Sequence, residues 1–395
     1  SELGGTARRI HSTLDGNDVQ TQLETLIRKI YRHPAVHVYT EAVITEATGY
    51  VGNFVTRVTS ERGETAIEHG VAIIAIGAEE YKPAEYRYGE DERVVTHLEL
   101  GERIAREDDT VTQAQSVVMI QCVGCRNEDR NYCSRVCCGH SIKHALMLKA
   151  LNPKMDVTIA FRDMRTYGFN EEYYRQASQQ EVRFVRWSPE DPPTVEAARA
   201  EDGRPVLQVA LTDPILGEKL AFDADLLALA AAVVPSAGAQ EIARLFKVPL
   251  GPDGFFQEAH VKLRPVEFAA DGVFLCGMAH APKHIPEAVN QAYGAAGRAL
   301  ALLSNDIVTV SGAVCEVREK ACMGCGACVA VCSYDAIELR KTKQDQKAIV
   351  NPVICKGDGL CNAVCPTGAI VLNHFTDREI LSQIDALVPE SAGTK

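Results

Sequence analysis

The chain has 395 residues, 46% of them hydrophobic and 24% charged, with a formal net charge of −12. That balance suits a folded chain of roughly two or three domains and excludes a collagen-like or disordered one. The acidic charge, with no dense Lys/Arg block, argues against nucleic acid as a partner. No apolar run approaches the roughly 18 residues of a transmembrane segment.

The fourteen cysteines are unevenly placed: five between Cys122 and Cys138, eight between Cys315 and Cys365, and Cys276 alone. A disulfide-rich secreted protein is smaller and spreads its cysteines throughout. Residues 1–30 carry no apolar stretch of the export-signal kind. The reading is metal ligation in a reducing, cytoplasmic compartment.

Composition divides the chain into four segments. Residues 1–112 and 235–306 read as two pieces of one α/β domain, 113–234 as an inserted domain, and 307–395 as a cysteine-rich module. The first piece opens on Gly4-Gly5, and Leu23, Leu26, Ile27 and Ile30 share one face of a helix predicted over Val19–Tyr31. Strands are predicted at Val36–Tyr39, Glu41–Glu46 and Phe54–Thr59, and a buried one at Val71–Ile76 ending in Gly77. A Gly-Gly of this kind follows the first βαβ unit of a flavin domain, yet no GxGxxG occurs. The expectation is that the sequence is an N-terminally incomplete piece of a longer chain, or that a partner supplies the missing half.

In the inserted domain, strands at Ser116–Gln121 and Asp156–Phe161 flank a helix over Ser134–Leu151. A nicotinamide-binding βαβ unit would have a glycine-rich first turn, with pyrophosphate on the helix N-terminus. This turn instead carries Cys122, Cys125, Cys133, Cys137 and Cys138, so it reads as converted to cluster binding. A zinc site and unliganded structural thiols remain alternatives. His140 and His144, at i,i+4, read as a solvated helix face rather than ligands. Leu226–Val234 is predicted as a further buried strand, broken at Pro235. In the second piece, Asp271–Met278 ends in a Gly277 turn, and Ile285–Leu303 is a predicted helix with Pro286 in its first turn.

The C-terminal module has the most specific spacing. Cys322, Cys325, Cys328 and Cys332 form C-x2-C-x2-C-x3-C, the run of bacterial two-cluster ferredoxins, whose fourth cysteine ligates the other cluster. A second run, Cys355, Asp358, Cys361 and Cys365, keeps the spacing with an aspartate at its second position. Crossed ligation predicts one cluster on Cys322, Cys325, Cys328 and Cys365. The other falls on Cys332, Cys355, Cys361 and Asp358, as a cubane or, with that corner labile, a [3Fe-4S] form; alternatively Asp358 is a turn residue without metal contact. Cys315 lies outside the motif and reads as a packed thiol.

With these segments together, the chain resembles the A-subunit family of heterodisulfide reductase (HdrA-like proteins). The resemblance rests on Glu2–Gly5, Gly49–Phe54, Gln121–Gly124, Tyr132–Cys138, Lys247–Leu250, Gly254–Phe256, Lys262–Pro265, Asp271–Gly277 and His374–Asp377. It implies an α/β, thioredoxin-reductase-like flavoprotein fold binding FAD, with the two pieces above as its FAD-binding domain and 307–395 as a 2[4Fe-4S] ferredoxin-like domain. It also implies a [4Fe-4S] cluster on Cys122, Cys133, Cys137 and Cys138. Cys125 stands where the family usually has Ser and ranks as the non-ligand. Gly4, Gly5, Gly77, Gly277, Met278 and Lys283 are the candidate FAD contacts, Lys283 having a solvated loop lysine as its alternative reading.

The family's ferredoxin insertion soon after Phe54 is absent, and Asp358 replaces a ligand cysteine, so this reads as a slimmer relative. The implied function is electron transfer through FAD and three iron–sulfur clusters, bifurcating or confurcating between high- and low-potential partners. Those partners would be other subunits of a heterodisulfide reductase-like complex and ferredoxin or another low-potential donor or acceptor. Alternatives are a linear relay, a stand-alone NAD(P)H oxidoreductase and a structural scaffold.

Overall fold

The computed structural model describes residues 2–309, 311–341 and 346–387. At its centre a five-stranded, fully parallel sheet runs in the spatial order Val94–Thr96, Leu226–Ala231, Ser116–Val123, Asp156–Phe161, Arg183–Arg186. Side chains alternate across it, as the two-residue period of a strand requires. Val117, Met119, Val157, Ile159, Leu226 and Ala228 pack beneath the helices His97–Ala105, Cys137–Leu151 and Glu171–Gln179. Val118, Ile120, Ala160, Leu227 and Leu229 face the antiparallel sheet Thr194–Arg199, Pro205–Thr212, Lys219–Ala224. Burying both faces explains why these strands read as unbroken apolar runs.

The edge strand Val94–Thr96 lies before the expected domain boundary at 112/113. It pairs with Leu227–Leu229, and the following helix begins at a Thr96/Glu99 capping box. Three residues are too short for a sequence pattern to separate from a loop.

The other lobe is built on a parallel pair, Ala72–Ile74 with Val273–Leu275. Its core is Phe256, Phe268, Leu275 and Ile74. The Val71–Ile76 stretch is less buried than its composition suggests: Ile73 and Ile76 are exposed, because the strand pairs on one side only among the described residues. An antiparallel sheet of Val43–Tyr50, Asn53–Ser60 and Gly63–His69 replaces the short strands expected from Glu41 onward, and Val36–Tyr39 is not a strand. The helices Val19–Arg32 and Ile285–Leu303 form where the periodicity puts them, the second with Pro286 in its first turn and a His284/Glu287 capping box.

The C-terminal module pairs Cys315–Val317 with Ile370–Leu372 and Ile337–Lys341 with Gln346–Val350, around short helices at Ala327–Val331 and Leu360–Ala363. The chain is thus mixed α/β with a small α+β unit at its C-terminal end. No helix among the described residues is long and apolar enough to cross a membrane.

Candidate functional site

The two cysteine runs fold into mirrored halves. Gly326 and Gly359, both left-handed, start the two short helices, and each faces a leucine, Leu339 or Leu372. A β-carbon on Gly324 would overlap the Gln346 carbonyl oxygen, and one on Gly357 the Ala313 carbonyl oxygen, so both close approaches require glycine. Cys322, Cys325 and Cys328 from the first run and Cys365 from the second wall one small cavity. This is the crossed set read from the spacing.

Backbone amides point at the sulfurs in equivalent pairs. The Ala336 N–H donates to Cys332 Sγ (3.3 Å) and that of Ala369 to Cys365 Sγ (3.3 Å). The Ala348 N–H donates to Cys322 Sγ (3.5 Å) and that of Cys315 to Cys355 Sγ (3.4 Å). Such N–H···S bonds stabilise thiolate charge and tune a cluster's potential, so this donor set fits iron–sulfur ligation. Among the described residues no three His, Cys, Asp or Glu side chains form a ready site for a single metal ion. Cubane thiolates differ in this respect, because each holds its own iron and together they surround the cluster.

Asp358 is exposed, and its Oδ1 accepts the Leu360 N–H (3.2 Å) at the start of a helix. Cys315 is packed as expected, 4% exposed, and its Sγ lies 3.3 Å from Cys361 Sγ.

In the inserted domain, the strand carrying Cys122 turns out of register. Cys122 has a φ of +64°, and the pairing shifts between Leu229 and Ala231. The Cys137–Leu151 helix begins on its two thiols, and Cys122, Cys125, Cys137 and Cys138 are all buried. The Cys122 thiol donates to Cys125, which holds Cys122 protonated and draws Cys125 down; Cys137 and Cys138 form a second such pair. Burial near Cys122 and Cys125 raises Cys137 further. Cys133 is only half-buried, with the Arg135 N–H on its Sγ (3.3 Å). Cys125 is thus buried beside Cys122. Gly124 is fixed by Tyr81, whose ring a β-carbon would overlap, and Arg130 stacks on the same ring at 4.4 Å.

His140 and His144 do not form a solvated face. His144 is buried, its Nδ1 3.0 Å from His97 Nδ1, while His97 Nε2 lies 2.6 Å from Ser141 Oγ. His140 is half-buried and stacks edgewise on His284. Desolvation lowers the affinity of these rings for protons, that of His97 to about 3. His97 was missed because its partners come from a distant helix.

The flavin candidates converge on the parallel pair. Gly77 and Gly277 each lie just beyond one of its two strands, with φ of +73° and +69° and open space where a β-carbon would stand. Thr6 Oγ1 bonds the Ala78 carbonyl (3.4 Å), bringing Gly4 and Gly5 to the same edge. Met278 sits in the 3-10 turn Gly277–Ala279. Lys283 does not reach outward: its Nζ donates to the Gly277 (2.7 Å) and Ala281 (2.9 Å) carbonyls. Burial brings its pKa down to about 8. Its ammonium group holds the 277–281 loop through these two carbonyls.

Three links tie these sites together. Arg135 from the cysteine loop pairs with Glu287 at 3.0 Å in the first turn of the Ile285–Leu303 helix. Lys356, next to Cys355, pairs with Asp271, and Lys247 with Asp335 at 2.7 Å.

This arrangement is that of an iron–sulfur protein, and residues 321–369 match the family described as 4Fe-4S dicluster domain. Over a longer stretch the chain is 37% identical, across 347 residues, to the A-type component of the H(2)/formate:CoB-CoM heterodisulfide,ferredoxin reductase of Methanococcus maripaludis. The iron–sulfur component of the same type from the CoB–CoM heterodisulfide reductase of Methanocaldococcus jannaschii matches equally; each alignment covers 82% of this chain and 51% of the relative. The chain is a relative of these heterodisulfide reductase components and spans about half the length of the curated relatives it matches. The solved T. acidophilum thioredoxin reductase shares 13% identity at a TM-score of 0.49, covering 76% of this chain and 88% of its own.

Proposed function

We propose that this chain is an electron-transfer subunit of a heterodisulfide reductase-like oxidoreductase, holding FAD and three iron–sulfur clusters. The observation that carries the reading is the cavity walled by Cys322, Cys325, Cys328 and Cys365, drawn from both halves of the module. A bound flavin supplies the exchange between two-electron and one-electron transfer. The chain's own part is to hold the groups in order. Gly5, Gly77 and Gly277 leave room for close backbone approach, whereas Gly4 packs against Arg8 and Leu23; Lys283 fixes the 277–281 loop, and Arg135 and Lys356 tie that lobe to the two cysteine regions.

Met323, Leu360 and Val364, which flank the ligand cysteines, are exposed. That suits docking of another subunit or a ferredoxin-like donor or acceptor. The finer reading is that electrons divide at the flavin between high- and low-potential partners. The retained thiols suit a reducing, cytoplasmic compartment.

The test is the FAD, iron and acid-labile sulfide content of the chain purified without oxygen. Three cubanes give about twelve irons per chain, with FAD near one. About eight irons would refute a cluster at Cys122–Cys138, and a cluster-loaded chain without FAD would reduce it to a wire. Redox titration of the loaded chain then separates division of electrons from a linear relay.

A further inference from the structure

We propose that Cys315, and not Asp358, supplies the fourth thiolate of the second cluster. The inference deepens the dicluster reading and rests on it.

The argument starts from the repeat. Cys322, Cys328 and Cys332 stand 33 positions before Cys355, Cys361 and Cys365, and Gly324, Ala336 and Leu339 stand 33 before Gly357, Ala369 and Leu372. The structure obeys the same shift, since the amide and glycine contacts of one half recur in the other. Under this relation Asp358 corresponds to the ligand Cys325, and Cys315 corresponds to Ala348. Ala348 forms part of the wall of the first cavity, and its amide serves Cys322. Position 315 therefore belongs to the wall of the second cavity, where its amide serves Cys355. The second cavity thus has an aspartate where the first has Cys325, and a cysteine where the first has Ala348.

The local chemistry agrees. The Cys315 thiol is buried and lies 3.3 Å from Cys361 Sγ, one of the three cysteines of that cluster's set. Cys332 and Cys355 pack in the same cluster of side chains. Asp358, by contrast, has its carboxylate engaged by the Leu360 amide. A thiolate is also the softer ligand, which iron–sulfur clusters select over carboxylate. Ligation costs the Cys315 thiol its proton, which leaves to solvent as iron binds.

The experiment compares the full chain with Cys315→Ala and Asp358→Ala, loaded and purified without oxygen, by iron content, Mössbauer and EPR spectroscopy. Alanine already occupies the equivalent position 348, so the fold should tolerate it, and an unchanged first-cluster spectrum verifies that. Cys315→Ala is expected to lose about one iron per chain and to convert the second cluster to a three-iron form, while Asp358→Ala leaves both unchanged. Cys315→Ala combined with Asp358→Cys is expected to restore the four-iron spectrum. A three-iron form in Asp358→Ala, with Cys315→Ala intact, overturns the inference alone. A parent chain with one cluster in this module overturns the dicluster reading and the inference with it.

Discussion

The close approach at Gly324 offers a quantitative test of how the backbone shapes the first cluster cavity. Gly324 has φ +71° and borders the cavity, and Gly359 has φ +77° in the second half. An alanine at either must adopt left-handed backbone, costing about 1–2 kcal/mol. At Gly359 little else happens, because the new methyl meets Leu372 at 3.7 Å, an ordinary contact. At Gly324 the methyl overlaps the Gln346 carbonyl, whose residue pairs with Lys341. Relieving that overlap means moving a strand, which adds about 1–3 kcal/mol. Gly324→Ala is therefore expected to cost about 2–5 kcal/mol and Gly359→Ala about 1–2. Thermal unfolding, followed by loss of cluster absorbance and by iron retained per chain, compares the two. Equal losses would refute the argument, because they would leave the carbonyl overlap with no energetic consequence.

Acid should destabilise the inserted domain through its buried histidines. An unfolded His97 takes up a proton as pH falls through about 6.5, whereas the folded ring resists until about 3. Stability is therefore full above pH 6.5 and is lost below it, by about 2 kcal/mol at pH 5. Urea denaturation at pH 7 and pH 5 measures this, and a His97→Gln variant with the same pH dependence would contradict it. Lys283→Met removes the donor that serves the Gly277 and Ala281 carbonyls, and the loss is expected to be about 1–3 kcal/mol. FAD bound per chain should fall with it in an equilibrium titration; undiminished stability and FAD content would rule out the loop-holding role.

Part of this protein is written in short-range sequence pattern. The spacing of Cys322–Cys332 and Cys355–Cys365 predicts crossed ligation because the two halves repeat, and a repeat can be read without knowing any fold. The Ile285–Leu303 helix is equally legible, since Pro286 and the apolar period act within a few turns. The 33-residue shift also carried a signal for Cys315, in its correspondence with Ala348, that motif spacing alone passes over.

What the tertiary structure decided lies in contacts between distant segments. Val94–Thr96 becomes the edge of the parallel sheet only because Leu226–Ala231 is there to pair with it. His140 and His144 are withdrawn from water by His97 and His284, which the helix periodicity of their own segment cannot report. Lys283 turns inward onto the Gly277 and Ala281 carbonyls, and Cys125 is buried against Cys122. In each case the residue type was visible in the sequence, while its partner, and therefore its chemistry, came from chain folded back from elsewhere.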